Sequence, residues 1–578
     1  MRFVMAIVLF LLAFVSIGYG IAQRTILAGP ASFTTAVTTD STAPITVIEG
    51  PALRAFEGSQ TLTVSGSPTV FIADGRADDV RAWVGATSYN RVSFNAKTQK
   101  LTSKLVSGKS STAPSPVGSD LWVDEFSGKT QLIRSVNVPD TASVIVMSNG
   151  KKAAPSHVSI TWPLDNSAPW SGPLIIGGIA ALLAGLIAFL WALVHARRRS
   201  GPRRKQPRNP KPPQLKRGRS GTQPAIAAPV RRGRRRNFVA TGVVLAGTLV
   251  LSGCSLLGST GGALTPTPTS TVPGAAGLQQ VAVTEPQLKH IVANIIQTVG
   301  DADAKGDAKL AATRLAGPAL RLRTANYAMH AANSGIAIVP SIPNWDVQIA
   351  LPQQSDNWPR AVFVVIGKKA DKKAAPIGMM LVQQSPRENY KVEYLTTLVL
   401  NVPNVAPATL GAARLPNDNK LGILAPSDLA AAYGDILIKG DASKKNEFFS
   451  ATGDKLRAAI GHDYKQKTAA QLPTTAKIAF SNGPGKSASI AFGTNDSGQI
   501  VAVDLEDVET VTPVEVGAAI NPQGGQVAAL SGKVQSTKGF IATYGLQLLF
   551  YVPPVTDSGK KIQLLGFAQG LISATEVP

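Results

Sequence analysis

The side chain with the most specific chemical expectation is a single thiol. Cys254 is the only cysteine among 578 residues. An intramolecular disulfide and a cysteine-based zinc site are therefore both excluded. Cys254 closes the tetrad Leu251-Ser252-Gly253-Cys254, which follows the basic cluster 231–236 and the apolar run Phe238 to Leu251. That order has the form of a bacterial lipobox. Diacylglycerol is attached to the thiol at the membrane surface. A peptidase then cuts before the cysteine, so the preceding residues must be small, and the new N-terminus can be acylated. Lipidation at Cys254 is the expectation. The plainer alternative is an ordinary membrane helix running through Leu257, with Cys254 a bystander. Arg235 and Arg236, followed by Asn237-Phe238-Val239, also fit the twin-arginine pattern R-R-x-F-L.

A second group could hold an anion. Arg314, Arg321, Arg323 and Tyr327 lie on or just after a helical stretch and would suit an anionic glycan or lipid head group in a pocket. The plainer reading is a solvated helix face with salt bridges to Asp303 and Asp307. Asp74, Asp78 and Asp79 form an acidic cluster that a cation would fit, although such turns are more often solvated. The acidic stretch 504–510 (DLEDVET) reads as a solvated strand edge that discourages sheet-to-sheet pairing. The stretches 107–110 (SGKS), 127–130 (SGKT) and 483–487 (GPGKS) lack the leading glycine of a phosphate loop, at Ser103, Val123 and Phe480. The five histidines have no metal spacing, and no G-x-S-x-G or H-E-x-x-H occurs. No catalytic residue, metal or cofactor is expected.

These groups are positioned by three apolar segments. Residues 1–23 read as a transmembrane helix or signal peptide, with Gly20-Ile21-Ala22 compatible with cleavage and the uncleaved anchor preferred. Residues 171–195 read as a transmembrane helix flanked by Trp170 and Trp191. The run Arg197-Arg198-Arg199 puts its C-terminal end in the cytoplasm. Residues 238–257 are the third crossing or the internal lipoprotein signal. The net charge of +23 is concentrated in 196–237, which holds 16 basic and no acidic residues. Rich in proline, that segment reads as a disordered cytoplasmic loop that meets anionic lipids of the plasma membrane. Without aromatic interleaving, nucleic acid is disfavoured as a partner. Residues 24–170 and everything after 257 are then extracytoplasmic.

Residues 24–170 alternate as strands and read as an all-β, sandwich-like domain. Residues 258–279 are a Thr/Pro/Gly linker. Two α+β repeats follow, at 280–418 and 419–578. In the first, strands are expected at 335–340, 346–352, 360–367, 378–385 and 390–400. In the second, helices are expected at 426–438 and 443–460, and strands at 476–481, 488–493, 499–505, 510–517, 526–536, 540–552 and 562–575. Lys305-Gly306-Asp307-Ala308 matches Lys439-Gly440-Asp441-Ala442, and 316–321 (AGPALR) aligns with 452–457 (TGDKLR), which points to duplication.

Helices with a Gly-Asp step followed by an antiparallel sheet resemble tandem NTF2-like (cystatin-like) domains, which implies conical pockets. The three-segment layout resembles actinobacterial Rieske iron–sulfur proteins, without their Cys-His cluster ligands. The lipobox, linker and Ala/Gly/Pro/Arg-rich composition resemble an actinobacterial envelope lipoprotein. The expectation is a multi-domain membrane protein with an all-β extracytoplasmic domain, two or three transmembrane helices and an α+β C-terminal region. Its function is binding or scaffolding in the cell envelope, with an envelope protein or glycan as partner. The rival is an envelope enzyme or a carrier of a glycan or lipid.

Overall fold

A computed structural model describes residues 2–199 and 280–578, except positions 41, 370, 372 and 558. The lipobox, the twin-arginine pair, most of the basic loop and the linker lie outside the described residues. The first region runs α1 (Arg2–Arg24), β1 (Ser32–Thr38), β2 (Ile45–Glu49), α2 (Gly50–Leu53), β3 (Gln60–Arg76), α3 (Ala77–Val84), β4 (Tyr89–Asn95), β5 (Lys100–Val106), β6 (Asp124–Val136), β7 (Ala142–Met147), β8 (His157–Pro163) and α4 (Ser171–Arg199).

Among the described residues, α1 and α4 are the helices long and apolar enough to cross a membrane. They pack antiparallel along a seam of small residues. Ala6, Ala13 and Gly20 face Ser171, Gly178, Gly185 and Ala192, each set repeating every seven residues and buried. A seven-residue period keeps one stripe of a helix against its partner, and small side chains let the backbones approach closely. A Cβ added at Gly178 would stand 2.5 Å from Ile17 and 3.1 Å from the Ala13 carbonyl. Outward faces carry exposed Val4, Leu11, Phe14, Ile176 and Ile187, an apolar surface suited to lipid tails. Helix α1 runs unbroken through Gly20-Ile21-Ala22.

Residues 29–167 and 279–578 form a separate compact unit. Its first part is a sheet of order β1-β8-β3-β7-β2-β4-β5, with β6 on β3. Strand β3 changes neighbour at its Ser65–Thr69 register shift, pairing with β8 before it and β7 after it. Such a shift bends a strand, and the sheet curls into a barrel-like shell around Trp162. Phe33, Phe56 and Phe94 pack on that indole at 5.4–5.9 Å. The pair β2–β4 is parallel, the rest antiparallel.

Asp74, on β3, is 7% exposed and stands directly opposite Asp124 on β6. Burial, with the Asp124 charge added, pushes its carboxyl up from 3.8 to about 7. The folded chain therefore holds a proton there that the unfolded chain releases above about pH 4. Stability should fall as pH rises from about 4 to about 7 and level off above. Asp74→Asn should flatten that slope, read by urea denaturation across the window. An unchanged slope would show that Asp74 does not carry it.

The second part runs α5 (Glu285–Lys305), α6 (Ala308–Ala311), α7 (Gly317–Ala332), β9 (Asp346–Pro352), β10 (Arg360–Gly367), β11 (Ile377–Gln383), β12 (Lys391–Leu398), β13 (Arg414–Leu415), α8 (Leu429–Lys439), α9 (Lys455–Ile460), α10 (His462–Ala470), β14 (Ala476–Pro484), β15 (Ile490–Gly493), β16 (Gln499–Pro513), α11 (Gln526–Ser531), β17 (Phe540–Val552) and β18 (Gln563–Glu576). One sheet of order β13-β15-β16-β17-β18-β12-β11-β10-β9, with β14 on β16, joins both halves. Its hinge is the two-residue pairing of β12 with β18, Thr397 with Phe567 and Leu398 with Gly566.

There the sheet folds back, so Phe363, Met380, Phe492, Ile500 and Leu549 share one apolar layer between the strand sets. Alternate residues point the other way. Val362, Val364 and Met379 meet α5, whereas Val501, Val503 and Leu505 meet α8. The result is four layers: helix, sheet, sheet, helix. The aligned KGDA stretches occupy equivalent places. Helices α5 and α8 end at Lys305 and Lys439, and Gly306 and Gly440 then take positive φ, 61° and 57°. Gly317 (52°), the first residue of α7, and Gly453 (79°), two residues before α9, also have positive φ. Positive φ is cheap only for glycine, so each position calls for one, but the turns differ: Gly306 is left-handed helical with ψ 29°, whereas Gly440 has ψ -131°.

Several expected elements differ. Residues 335–340 form no strand, because side chains occupy their backbone. Asn326 bonds Ala337 O and Val339 N, and Arg323 bonds Val339 O and Pro340 O. The expected helix 443–460 is one short turn (Asn446–Phe448) followed by α9, whose N-cap Asp454 accepts from Arg457 N. The expected strand 526–536 begins as α11, between Gly525 and Gly532 in left-handed conformations. The strands expected at 499–505 and 510–517 are one continuous β16. The stretch 504–510 is no solvated edge: β16 is paired on both sides, and Asp504 and Asp507 are buried. Their charges are met by Arg321 and Lys465 from elsewhere in the chain.

Candidate functional site

The four residues expected to share a pocket are dispersed. Arg314, in the turn between α6 and α7, reaches the barrel-like part, where Nη1 lies 2.6 Å from Asp120 Oδ2. Arg321 bridges Asp504 and Glu506 on β16. Arg323, 4% exposed, pairs with Asp303 at 3.3 Å. Tyr327 donates to the same Asp303 at 2.5 Å. Arg323 lines a cavity of about 470 Å³ with Leu322, Ile342, Trp345, Ile377 and Gln547, and Arg321 lines a different, open one of about 640 Å³ with Lys486 and Glu506. The Arg323 donors are already taken by Asp303 and the 339–340 carbonyls, so the group is a structural clamp on the 335–345 loop. Asp307 instead caps α6, accepting from Lys309 N and Leu310 N.

The acidic cluster at 74–79 also separates. Asp78 makes a surface pair with Arg81, and Asp79 is buried between Arg76 and Arg360. No group of three potential metal ligands occurs among the described residues. The glycine loop 483–487 wraps a carboxylate of its own chain. Ser487 N donates to Asp504 Oδ2 at 3.1 Å, and Gly485 N to Asp504 O at 2.8 Å.

Two arrangements go beyond packing. The first joins residues 29–167 to 279–578. Asp79 Oδ1 accepts from Arg360, which is 0% exposed and lies 3.7 Å over the Trp358 ring. Asp120 accepts from Arg314 and from Tyr390 N. Burial pushes the Asp120 carboxyl up, against the pull of Arg314. Arg387 donates to the Trp83 and Val84 carbonyls. Gln287, which caps α5 through Thr284 N, also donates to Leu121 O. The key acids come from one part and the arginines from the other. Such pairing sets orientation more than it adds net stability.

The second is a cavity of about 490 Å³ bounded by β14, β16, β17, α10 and the 519–523 segment. Leu472, Ile478, Val511, Val527, Phe540 and Ala542 make it apolar, and Glu509 and Tyr544 are its ionisable groups. Asp507 and Glu509 are two apart on β16 and so share a face. Tyr544 and Asn482 stand opposite Asp507 on the flanking strands. Lys465, on α10 and 4% exposed, lies 2.5 Å from Asp507 Oδ2. Asp507 Oδ1 is buried without a partner.

Burial raises the Asp507 carboxyl despite Lys465. Burial also raises Glu509, against the pull of Lys465 and the Tyr544 hydrogen bond, with Asp507 adding to the rise. An apolar cavity with a few convergent polar groups of perturbed acidity is the default form of a binding or active site. Sequence reasoning missed it because its acids lie in the stretch read as a solvated edge. The alternation of Leu505, Asp507, Glu509 and Val511 places both acids among apolar neighbours and was the available signal.

Comparison with known proteins adds one finding. No curated protein and no solved structure matches the chain. A family model described as "Domain of unknown function (DUF8094)" matches residues 279–576, the whole of the four-layer part. Because that match spans more than half of the 578 residues, the protein belongs to the DUF8094 family.

Proposed function

We propose that the protein is a membrane-anchored, extracytoplasmic binding protein of the cell envelope, whose working body is built from residues 29–167 and 279–578 together. The observation that carries this reading is the buried ionic contact between those regions. With α1 and α4 spanning the membrane, residues 29–167 lie opposite the chain that follows Arg199. Residues 279–578 are docked on them, which supports a reading with a further crossing between Arg199 and Gln280. Phe238 to Leu251 is the apolar run available for that crossing. The arginines after α4 place its end inside, and the body outside. Lipidation at Cys254 would add an anchor to the second region. The repeated helix-then-sheet order is compatible with the tandem NTF2-like plan.

The test uses the single cysteine. In a Cys254→Ser background, Lys109→Cys and Lys420→Cys should react with a membrane-impermeant maleimide on intact cells, and Lys205→Cys only after lysis. Labelling of Lys109→Cys and Lys420→Cys from opposite sides would overturn the reading. A second reading, a carrier of a small ligand, is favoured by the Glu509–Tyr544 cavity, which combines apolar walls with one carboxylate and a tyrosine.

A further inference from the structure

Resting on the carrier reading, we propose that the cavity between β14, β16, β17 and α10 takes a small amphiphile with an apolar body and a protonated amine, the amine lying against Glu509. The walls select the body. Leu472, Ile478, Val511 and Phe540 offer an apolar lining with room for a short alkyl or aryl group.

The inner end selects the head by charge. Glu509 lines the cavity, while Asp507, two residues before it on the same face of β16, is paired with Lys465. Tyr544 also lines the cavity and acts on the Glu509 acidity, and Tyr464 on α10 is the further titratable neighbour acting on Tyr544. The Glu509 charge therefore has no ion pair in an apolar setting, and Asp507 Oδ1 on the same strand has no hydrogen-bond partner. A carboxylate or phosphate head would add a third anion. A neutral hydroxyl would supply a hydrogen bond and leave the charge. An ammonium group supplies both the charge and several donors. Burial raises the Glu509 carboxyl from its ordinary value, so binding of an ammonium group should weaken as pH falls through that raised value.

The test is calorimetric titration of the full-length chain in amphipol with n-hexylamine, 1-hexanol and hexanoate at pH 7.5. Hexylamine should bind about tenfold or more tighter than either of the others. Glu509→Gln should remove that preference and leave 1-hexanol binding within about twofold. Val511→Trp, which fills the mouth, should weaken all three probes. If 1-hexanol or hexanoate equals hexylamine, or Glu509→Gln keeps the preference, the amine assignment is overturned and the cavity stands as a ligand site. If no probe binds, or Val511→Trp leaves binding unchanged, the carrier reading falls with it. The comparison of probes on the unaltered chain decides the matter even if a variant fails to fold.

Discussion

Asp79→Ala should cost the extracytoplasmic body about 3–5 kcal/mol of stability, the range for breaking a buried ion pair from one side. The reason is what remains. Arg360 is fully buried, and Arg76 lies beside it with only neutral acceptors at Val281 O and Gln280. Two guanidinium charges would then face each other with no carboxylate between them. Replacing Arg76, Asp79 and Arg360 together by apolar residues of similar volume should recover much of the loss, because the desolvation of all three charges disappears. Urea denaturation measures both. A protease site placed within 200–279 gives a sharper readout. After cleavage, the two pieces of the unaltered protein should copurify, held by the Asp79 and Asp120 contacts, and Asp79→Ala should let them separate. Copurification of the cleaved variant as tight as that of the parent would show that the apolar contacts around Trp83, Trp122 and Trp358 suffice.

Lys465→Met should be the most damaging single change in the cavity region, again by about 3–5 kcal/mol near neutral pH. It leaves Asp507, 3% exposed, with a neutral amide and no cation. The sign of the pH dependence follows. Burial already raises the Asp507 carboxyl, and removing the Lys465 charge removes the main opposing influence. The folded variant then binds a proton that the unfolded chain does not hold above about pH 4. Stability present at low pH is lost as pH rises through the raised value, so the deficit against the parent should shrink on acidification. Denaturation at pH 5 and pH 8 checks this. An equal deficit at both would mean that Asp507 is ionised in the variant and has found another partner. Glu509 should move the same way, since Lys465 also holds it down.

How much was legible beforehand depended on the range of the interactions. Periodicity located α1, α4 and most strands within a few residues, because it records which side of an element is apolar. It failed at 335–340, where Asn326 and Arg323 occupy backbone groups a strand would need. It failed again at 526–531, where two left-handed glycines frame a short helix. The four-residue cluster Arg314, Arg321, Arg323 and Tyr327 looked like one site because the residues are neighbours in sequence. On α7 and the turn before it they point in different directions, to Asp120, to β16 and to Asp303.

Local matters were legible in the residues alone: two long apolar segments, a basic proline-rich stretch between apolar runs, alternating strands, and paired Gly-Asp steps. Each follows from a residue's preference for its own backbone conformation or solvent. Only the tertiary structure decided that residues 29–167 and 279–578 are one body, that both halves of the second part share a sheet through β12 and β18, and that an acidic stretch lies inside. Those outcomes rest on partners far apart in the chain, Asp79 with Arg360, Asp120 with Arg314, Asp507 with Lys465. A carboxylate is stable in the interior only when a cation is delivered to it. The delivery is a property of the fold.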